Sequence, residues 1–197
     1  MTLEKTSVSI CVHLWFHTFD MPRNPLQIWL HASRPKTLSA AVAPVLMGTA
    51  MAWFDGGFHA GAAGAALLFA ILVQVGTNLC NDYADFRKGA DTDQRQGPLR
   101  ITQAGLVAPG TVLRATVVVF ALAAMVGVYL LSRVGWGYWY VVALSVLFGV
   151  IYTAGPFPLG YHGLADLFVL VFFGPVAVAG TYFVQVRTFG WPAAVIG

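Results

Sequence analysis

Five apolar stretches constrain this chain more than anything else in it: residues 37–54, 60–80, 111–131, 136–154 and 164–186. The hydrocarbon core of a bilayer is about 30 Å thick, and a helix of roughly 20 mostly apolar residues crosses it. Short polar or Gly/Pro-rich connections separate the stretches, among them DGG at 55–57 and GPFPLG at 155–160. Only 10% of the 197 residues are charged and 58% are hydrophobic, against about 25% charged in an ordinary soluble domain. So few polar side chains cannot wrap such a core in water. The reading is an all-α membrane protein, a multi-span helical bundle with five full transmembrane helices. A further apolar segment begins at Thr188 and runs ten residues to Gly197, about 15 Å of helix, so the start of a sixth helix is expected there. Gly61, Ala62, Gly64 and Ala65 are small enough to let helices approach closely in lipid, and Pro175 is expected to kink the last full span.

Orientation follows from the basic residues. With five alternating spans, Lys5, Arg23, Arg34, Lys36, Arg87, Lys88, Arg95, Arg100 and Arg114 fall on the side of the N-terminus, and only Arg133 and Arg187 fall opposite. The positive-inside rule then puts the N-terminus and the 81–110 loop in the cytoplasm, and the protein in the inner (cytoplasmic) membrane. The formal charge of +3 reads as topology; no basic patch is interleaved with aromatics, so nucleic acid is not a partner. The span interiors carry no ionisable residue, which argues against a transporter or channel. Residues 7–19 are apolar but too short to span, and MPRNPLQIWLHASRPKTL from Met21 is the more natural beginning. Residues 1–33 are accordingly read as an N-terminal extension with an amphipathic lead-in, and 34–197 as the membrane domain. Cys11 and Cys80 form no disulfide framework, and the five histidines show no ligand spacing.

The stretch NLCNDYADFRKGADTDQRQGPLR, residues 78–100, is the exception to this greasiness. Within nineteen residues from Asp82 it collects four of the eight carboxylates and four of the eleven Lys/Arg. On a continuing helix Asn81, Asp85 and Gly89 share a face at i, i+4 and i+8, with Asp82 on the neighbouring face. Gly89 permits a break there, and Asp91 and Asp93 follow on a loop. Carboxylates so close together repel unless a cation neutralises them. Mg²⁺ suits such a set, because it takes one or two carboxylates and completes its shell with water and substrate phosphate. Arg87, Lys88, Arg95 and Arg100 supply forks and ammonium groups for phosphate oxygens. A diphosphate site is one reading, with Asp82 and Asp85 at its centre; a solvated cytoplasmic loop is the other.

The segment NDYADFRKGAD, Asn81 to Asp91, resembles the first Asp-rich motif of the UbiA superfamily of intramembrane aromatic prenyltransferases, N-D-x-x-D followed by a further Asp. Gly89 stands where many members have that Asp, and Asp91 matches the G-x-D branch that prenylates 1,4-dihydroxy-2-naphthoate in menaquinone synthesis. RPKTL (34–38), GPLR (97–100), YTAGPFPLGYHGLAD (152–166) and VFFGPVAVAGTYFVQ (171–185) are similar to the same branch. The resemblance implies a cytoplasm-facing pocket in which Mg²⁺ joins Asn81, Asp82, Asp85 and Asp91 to a polyprenyl diphosphate. Asn81, Arg87, Lys88, Arg95 and Arg100 would bind the diphosphate, with Arg100 preferred among the basic residues because it lies in the GPLR match. Asp82, Asp85, Arg100 and Tyr152 make up the catalytic set. Tyr152 is alternatively an interfacial anchor, Asp166 either orients the aromatic substrate or caps a helix, and Arg34 and Lys36 are either topology anchors or ligands, with the anchor reading preferred. The family has nine spans and a second Asp-rich motif on the sixth. A C-terminal half is therefore expected to be missing, activity of this chain alone is not expected, and an inactive or structural membrane fragment or another aromatic acceptor are the alternatives.

Overall fold

The computed structural model describes residues 24–89, 99–154 and 169–187. Among them all regular structure is helical: α1 Pro25–Ser33, α2 Pro35–Phe54, α3 Ala60–Lys88, α4 Pro109–Val134, α5 Trp139–Ile151 and α6 Val169–Val186. Local chemistry sets the ends. Asn24 caps α1 by accepting the Gln27 N–H at 2.8 Å, and prolines open α1, α2 and α4, where their missing N–H costs nothing. Gly89 closes α3 with φ 62, the left-handed conformation glycine adopts without strain. Arg87 and Lys88 lie in that last turn, favourably placed against the negative end of the helix dipole.

Four helices, α2, α3, α4 and α6, are long and apolar enough to cross a membrane. The fourth expected span is shorter than the sequence suggests. Gly135 turns the chain at φ 101, a 3-10 turn takes Trp136–Tyr138, and 13 residues remain for α5, about 20 Å of helix. The count of five full spans is therefore not reached among the described residues, and the expected sixth helix from Thr188 lies outside them. Conversely α3 overruns its expected end at residue 80. Its 29 residues reach about 44 Å, beyond the thickness of the hydrocarbon core, so its last two turns carry Asn81–Lys88 past the apolar layer. In α6 the expected kink is present: Phe172–Val176 form a wider turn around Pro175, with Gly174 at non-helical φ −92, ψ −113.

The helices pack through small residues, though not all at the expected places. A Cβ on Gly48 of α2 would lie 2.4 Å from the Val178 carbonyl oxygen of α6, and one on Gly76 of α3 would lie 2.8 Å from the Phe120 ring of α4. Ala62 is fully buried, whereas Gly64 meets nothing within 4 Å. Apolar clusters fill the interior: Val45, Ala62, Ala66, Leu130 and Val184 toward the end where α3 begins, Ala32, Leu79, Ile101 and Val112 at the end where α3 stops, and Ala52 with Tyr182 between α2 and α6. The outward side of α4 exposes Val117, Val118, Met125 and Val128, a stripe that hydrocarbon covers and water would not tolerate.

Candidate functional site

The site grows from the last turns of α3. Asn78, Asn81, Asp82 and Asp85 are all buried there, and a buried polar group needs a partner to offset its lost hydration. Each finds one in a different part of the chain. Asn78 donates from Nδ2 to the Ser33 carbonyl at 2.9 Å and to the Thr37 hydroxyl at 3.0 Å, tying α3 to the α1–α2 joint. Asn81 accepts the Thr153 hydroxyl on Oδ1, and Lys88 donates its ammonium to the Thr153 carbonyl at 2.5 Å. Those two bonds hold α3 to the residues just after α5.

The aspartates meet the chain as it returns from the charged loop. Asp82 accepts the Ile101 N–H on Oδ2 at 2.9 Å and the Thr102 N–H on Oδ1 at 3.1 Å. Asp85, one turn on, accepts Arg100 Nη2 on Oδ2 in an ion pair. Asp82, Asp85 and Arg100 are 2%, 5% and 7% exposed, so the pair is desolvated and its attraction is little screened. The returning segment is a closed turn: the Ala104 N–H bonds the Arg100 carbonyl at 2.9 Å and the Leu106 N–H the Ile101 carbonyl at 3.0 Å. Ile101 is fully buried in the cluster with Ala32, Leu79 and Val112. Apolar burial of one residue thus fixes the place of the arginine beside it.

Next to this cluster runs a cavity of about 590 Å³ among the transmembrane helices, within the range of small-ligand sites. Arg34, Asn78, Asn81 and Tyr152 line its polar end, and residues such as Phe69, Leu130, Val141 and Phe172 line the rest. Asn81 belongs to both regions: it lines the cavity, while Asp82, Asp85 and Arg100 stand behind it and do not. Tyr152, expected at the pocket, is there. Arg87 is exposed; Asp91, Asp93, Arg95 and Asp166 lie outside the described residues.

Two participants were not singled out from the sequence, and a third was read there chiefly as a topology anchor. Thr153 sits inside the stretch YTAGPFPLGYHGLAD, and Asn78 is one helical turn before Asn81 and Asp82, so register alone could have found it. Arg34 holds φ 52, ψ 71 between α1 and α2, a left-handed conformation that costs a non-glycine residue energy and tends to occur at functional positions. It lines the cavity, a part its reading as a topology anchor does not include.

Among the described residues no group of three or more His, Cys, Asp or Glu could hold a metal by itself. The donors present are oxygens, a carboxamide on Asn81 and a carboxylate on Asp85, on one face of α3. They fit a hard cation such as Mg²⁺, which relies on substrate phosphate and water for much of its shell.

A buried Asn/Asp/Arg cluster thus stands beside an apolar cavity among helices long enough to cross a membrane. The chain belongs to the UbiA prenyltransferase family, whose model matches residues 41–197. It is 39% identical over 168 residues to the 1,4-dihydroxy-2-naphthoate octaprenyltransferase of Escherichia coli, covering 82% of this chain and 54% of that protein. It is 40% identical over 167 residues to the protein of the same name from Mycobacterium tuberculosis, covering 83% and 56%. With the 2-carboxy-1,4-naphthoquinone phytyltransferase of Synechocystis it shares 30% over 168 residues, covering 84% and 53%. The chain spans about half the length of the curated relatives it matches.

Proposed function

We propose that this chain forms part of a Mg²⁺-dependent enzyme that transfers a polyprenyl group from a polyprenyl diphosphate to 1,4-dihydroxy-2-naphthoate, forming demethylmenaquinone in its reduced, quinol form. The observation that carries the reading is the buried cluster of Asn81, Asp82, Asp85 and Arg100 joined through Asn81 to an apolar cavity. A diphosphate with a long hydrocarbon tail needs both halves of that arrangement. The names of the relatives from E. coli and M. tuberculosis support the naphthoate acceptor.

In this reading Asn81 and Asp85, with Asp91, hold the cation, and Asp82, grouped with them by the motif, takes a different part described below. Bound Mg²⁺ supplies charge that stabilises the departing diphosphate. Arg100, with Lys88, Arg87 and Arg95, presents donors to the same oxygens. The bond between the allylic carbon and the diphosphate oxygen breaks with its electron pair on the diphosphate. The ring carbon bearing the carboxylate bonds to the allylic carbon, and that carboxylate departs as CO₂. Phe69, Leu130 and Phe172 line the apolar cavity, which receives the tail and keeps water from the allylic centre. Tyr152 lines the same cavity and faces that centre, and Asp166 orients the acceptor. The protein is multi-pass in the cytoplasmic membrane, with the site on the cytoplasmic side, where six of the eight Lys/Arg in the described residues gather: Arg34, Lys36, Arg87, Lys88, Arg100 and Arg114.

The test is incubation of membranes carrying this chain joined to the C-terminal half of its E. coli relative, with radiolabelled polyprenyl diphosphate and each of 1,4-dihydroxy-2-naphthoate and 4-hydroxybenzoate, in Mg²⁺ or EDTA. Labelled lipid product only with the naphthoate and only with Mg²⁺ supports the reading. Product with 4-hydroxybenzoate refutes the acceptor, and metal-independent product refutes the role of Asn81 and Asp85.

A further inference from the structure

Two aspartates one turn apart on α3 have unlike partners. Asp85 faces a guanidinium; Asp82 faces main chain, with one N–H on each of its oxygens. A carboxylate accepting two amide protons of one turn acts as helix N-caps do, through charge-assisted bonds stronger than neutral ones. The amides belong to Ile101 and Thr102, both buried, so no water stands ready to replace the carboxylate. Arg100 immediately precedes them, and its own carbonyl closes the turn on the Ala104 N–H. Its carbonyl and the amide that follows it are therefore both held, and its side chain reaches Asp85.

We propose that Asp82 is a positioning residue and not a cation ligand: it anchors the returning loop to α3 and so aims Arg100 at Asp85 beside the cavity. Each of its oxygens spends one lone pair on a buried amide, and turning the carboxylate toward a cation would strain or break both bonds at once. Asp82, Asp85 and Arg100, read as one set in the sequence, thus divide into a binding pair, Asp85 and Arg100, and a support, Asp82. Why Arg100 must be aimed rests on the diphosphate reading; the anchoring does not.

The full chain in lipid nanodiscs tests this with three measurements on Asp82→Asn, Asp82→Ala, Asp85→Asn and Arg100→Gln. The first is amide hydrogen exchange over residues 99–107, with residues 112–130 of α4 as an internal control for global unfolding. Asp82→Ala speeds exchange at Ile101 and Thr102 by about tenfold or more, Asp82→Asn less because one acceptor remains, and Asp85→Asn by under about threefold. The second is Mn²⁺ uptake followed by electron paramagnetic resonance: Asp85→Asn weakens it at least about tenfold and Asp82→Asn by less than about threefold. The third is uptake of inorganic pyrophosphate with Mn²⁺ present. Asp82→Asn and Arg100→Gln weaken it by similar factors, and the double variant by no more than either, as expected of residues acting as a unit.

Equal loss of Mn²⁺ in Asp82→Asn and Asp85→Asn overturns the proposal, as does unchanged exchange at residues 101–102 in Asp82→Ala. Additive losses of pyrophosphate uptake overturn the link to Arg100. If the unaltered chain takes up neither ion, the diphosphate reading fails while the exchange measurement still decides the anchoring.

Discussion

At the end of the bundle where α3 stops, the groups that hold the helices together are charged, and the two aspartates and the arginine among them are buried: Asp82 on two amides, Asp85 on Arg100, and the exposed Lys88 on a carbonyl. At the opposite end the same kind of clip is made mostly from neutral groups. The Tyr182 hydroxyl of α6 donates to Asp55 Oδ2 at 2.7 Å, and Gln185 donates to the Thr49 hydroxyl at 3.2 Å and the Thr181 carbonyl at 3.0 Å. Around that clip Trp53, Phe54, Trp136 and Trp139 are more than half exposed, as aromatic residues at a membrane–water interface are. Both ends fasten α2, α3 or α6 to a neighbour. Only one collects carboxylate, guanidinium and carboxamide behind a cavity wall. Fastening a bundle therefore does not require buried charge, and its concentration at one end supports the proposal of a site there.

The comparison can be broken most directly at Asp85. Removing one member of a buried ion pair strands the other, at a cost of about 3–5 kcal/mol. Asp85→Ala is expected to lower stability by that much in a denaturant titration in detergent, and to abolish Mg²⁺-assisted binding of a polyprenyl diphosphate measured by calorimetry. A loss under 1 kcal/mol would mean that Arg100 finds other partners and that the pair is dispensable. At the far end Tyr182→Phe deletes one hydrogen bond and is expected to cost about 1–2 kcal/mol in the same titration, with diphosphate binding unaltered; weakened binding would couple the two ends. The smallest effect belongs to the exposed aromatics. Trp136→Ala with Trp139→Ala is expected to change stability in detergent by no more than about 0.5 kcal/mol each, since these rings face outward and not into the core.

Much of the site was legible because helical register is local. Asn81, Asp85 and Gly89 recur at the spacing that puts them on one face, and Gly89 ends the helix as its freedom at positive φ suggests. The spans were legible for a similar reason, with α5 as the exception: Gly135 and the turn after it draw residues out of a stretch whose hydropathy is uniform. What register could not supply was the partner of each polar group. Asp82 and Asp85 are equally acidic and equally close to the loop, and nothing in NDYAD distinguishes the one that meets amides from the one that meets Arg100. The difference arises 15 to 20 residues later, where burial of Ile101 fixes how the chain comes back. Thr153, 72 residues from Asn81, is further still from any local pattern.

Taken alone, the amino-acid order determined the solvent and the elements: a chain this poor in charge must lie in lipid, and the prolines that open α1, α2 and α4 and the glycines that close α3 and α4 act for reasons contained within a few residues. It also determined the family, through short motifs. Tertiary structure alone decided which acid anchors the loop and which one pairs with Arg100. It also placed Arg34 and Asn81 at the polar end of the cavity, and made Gly48 rather than Gly64 the point of close approach. These are contacts between residues distant in the chain, chosen by how buried surfaces fit together, and no local periodicity encodes that fit.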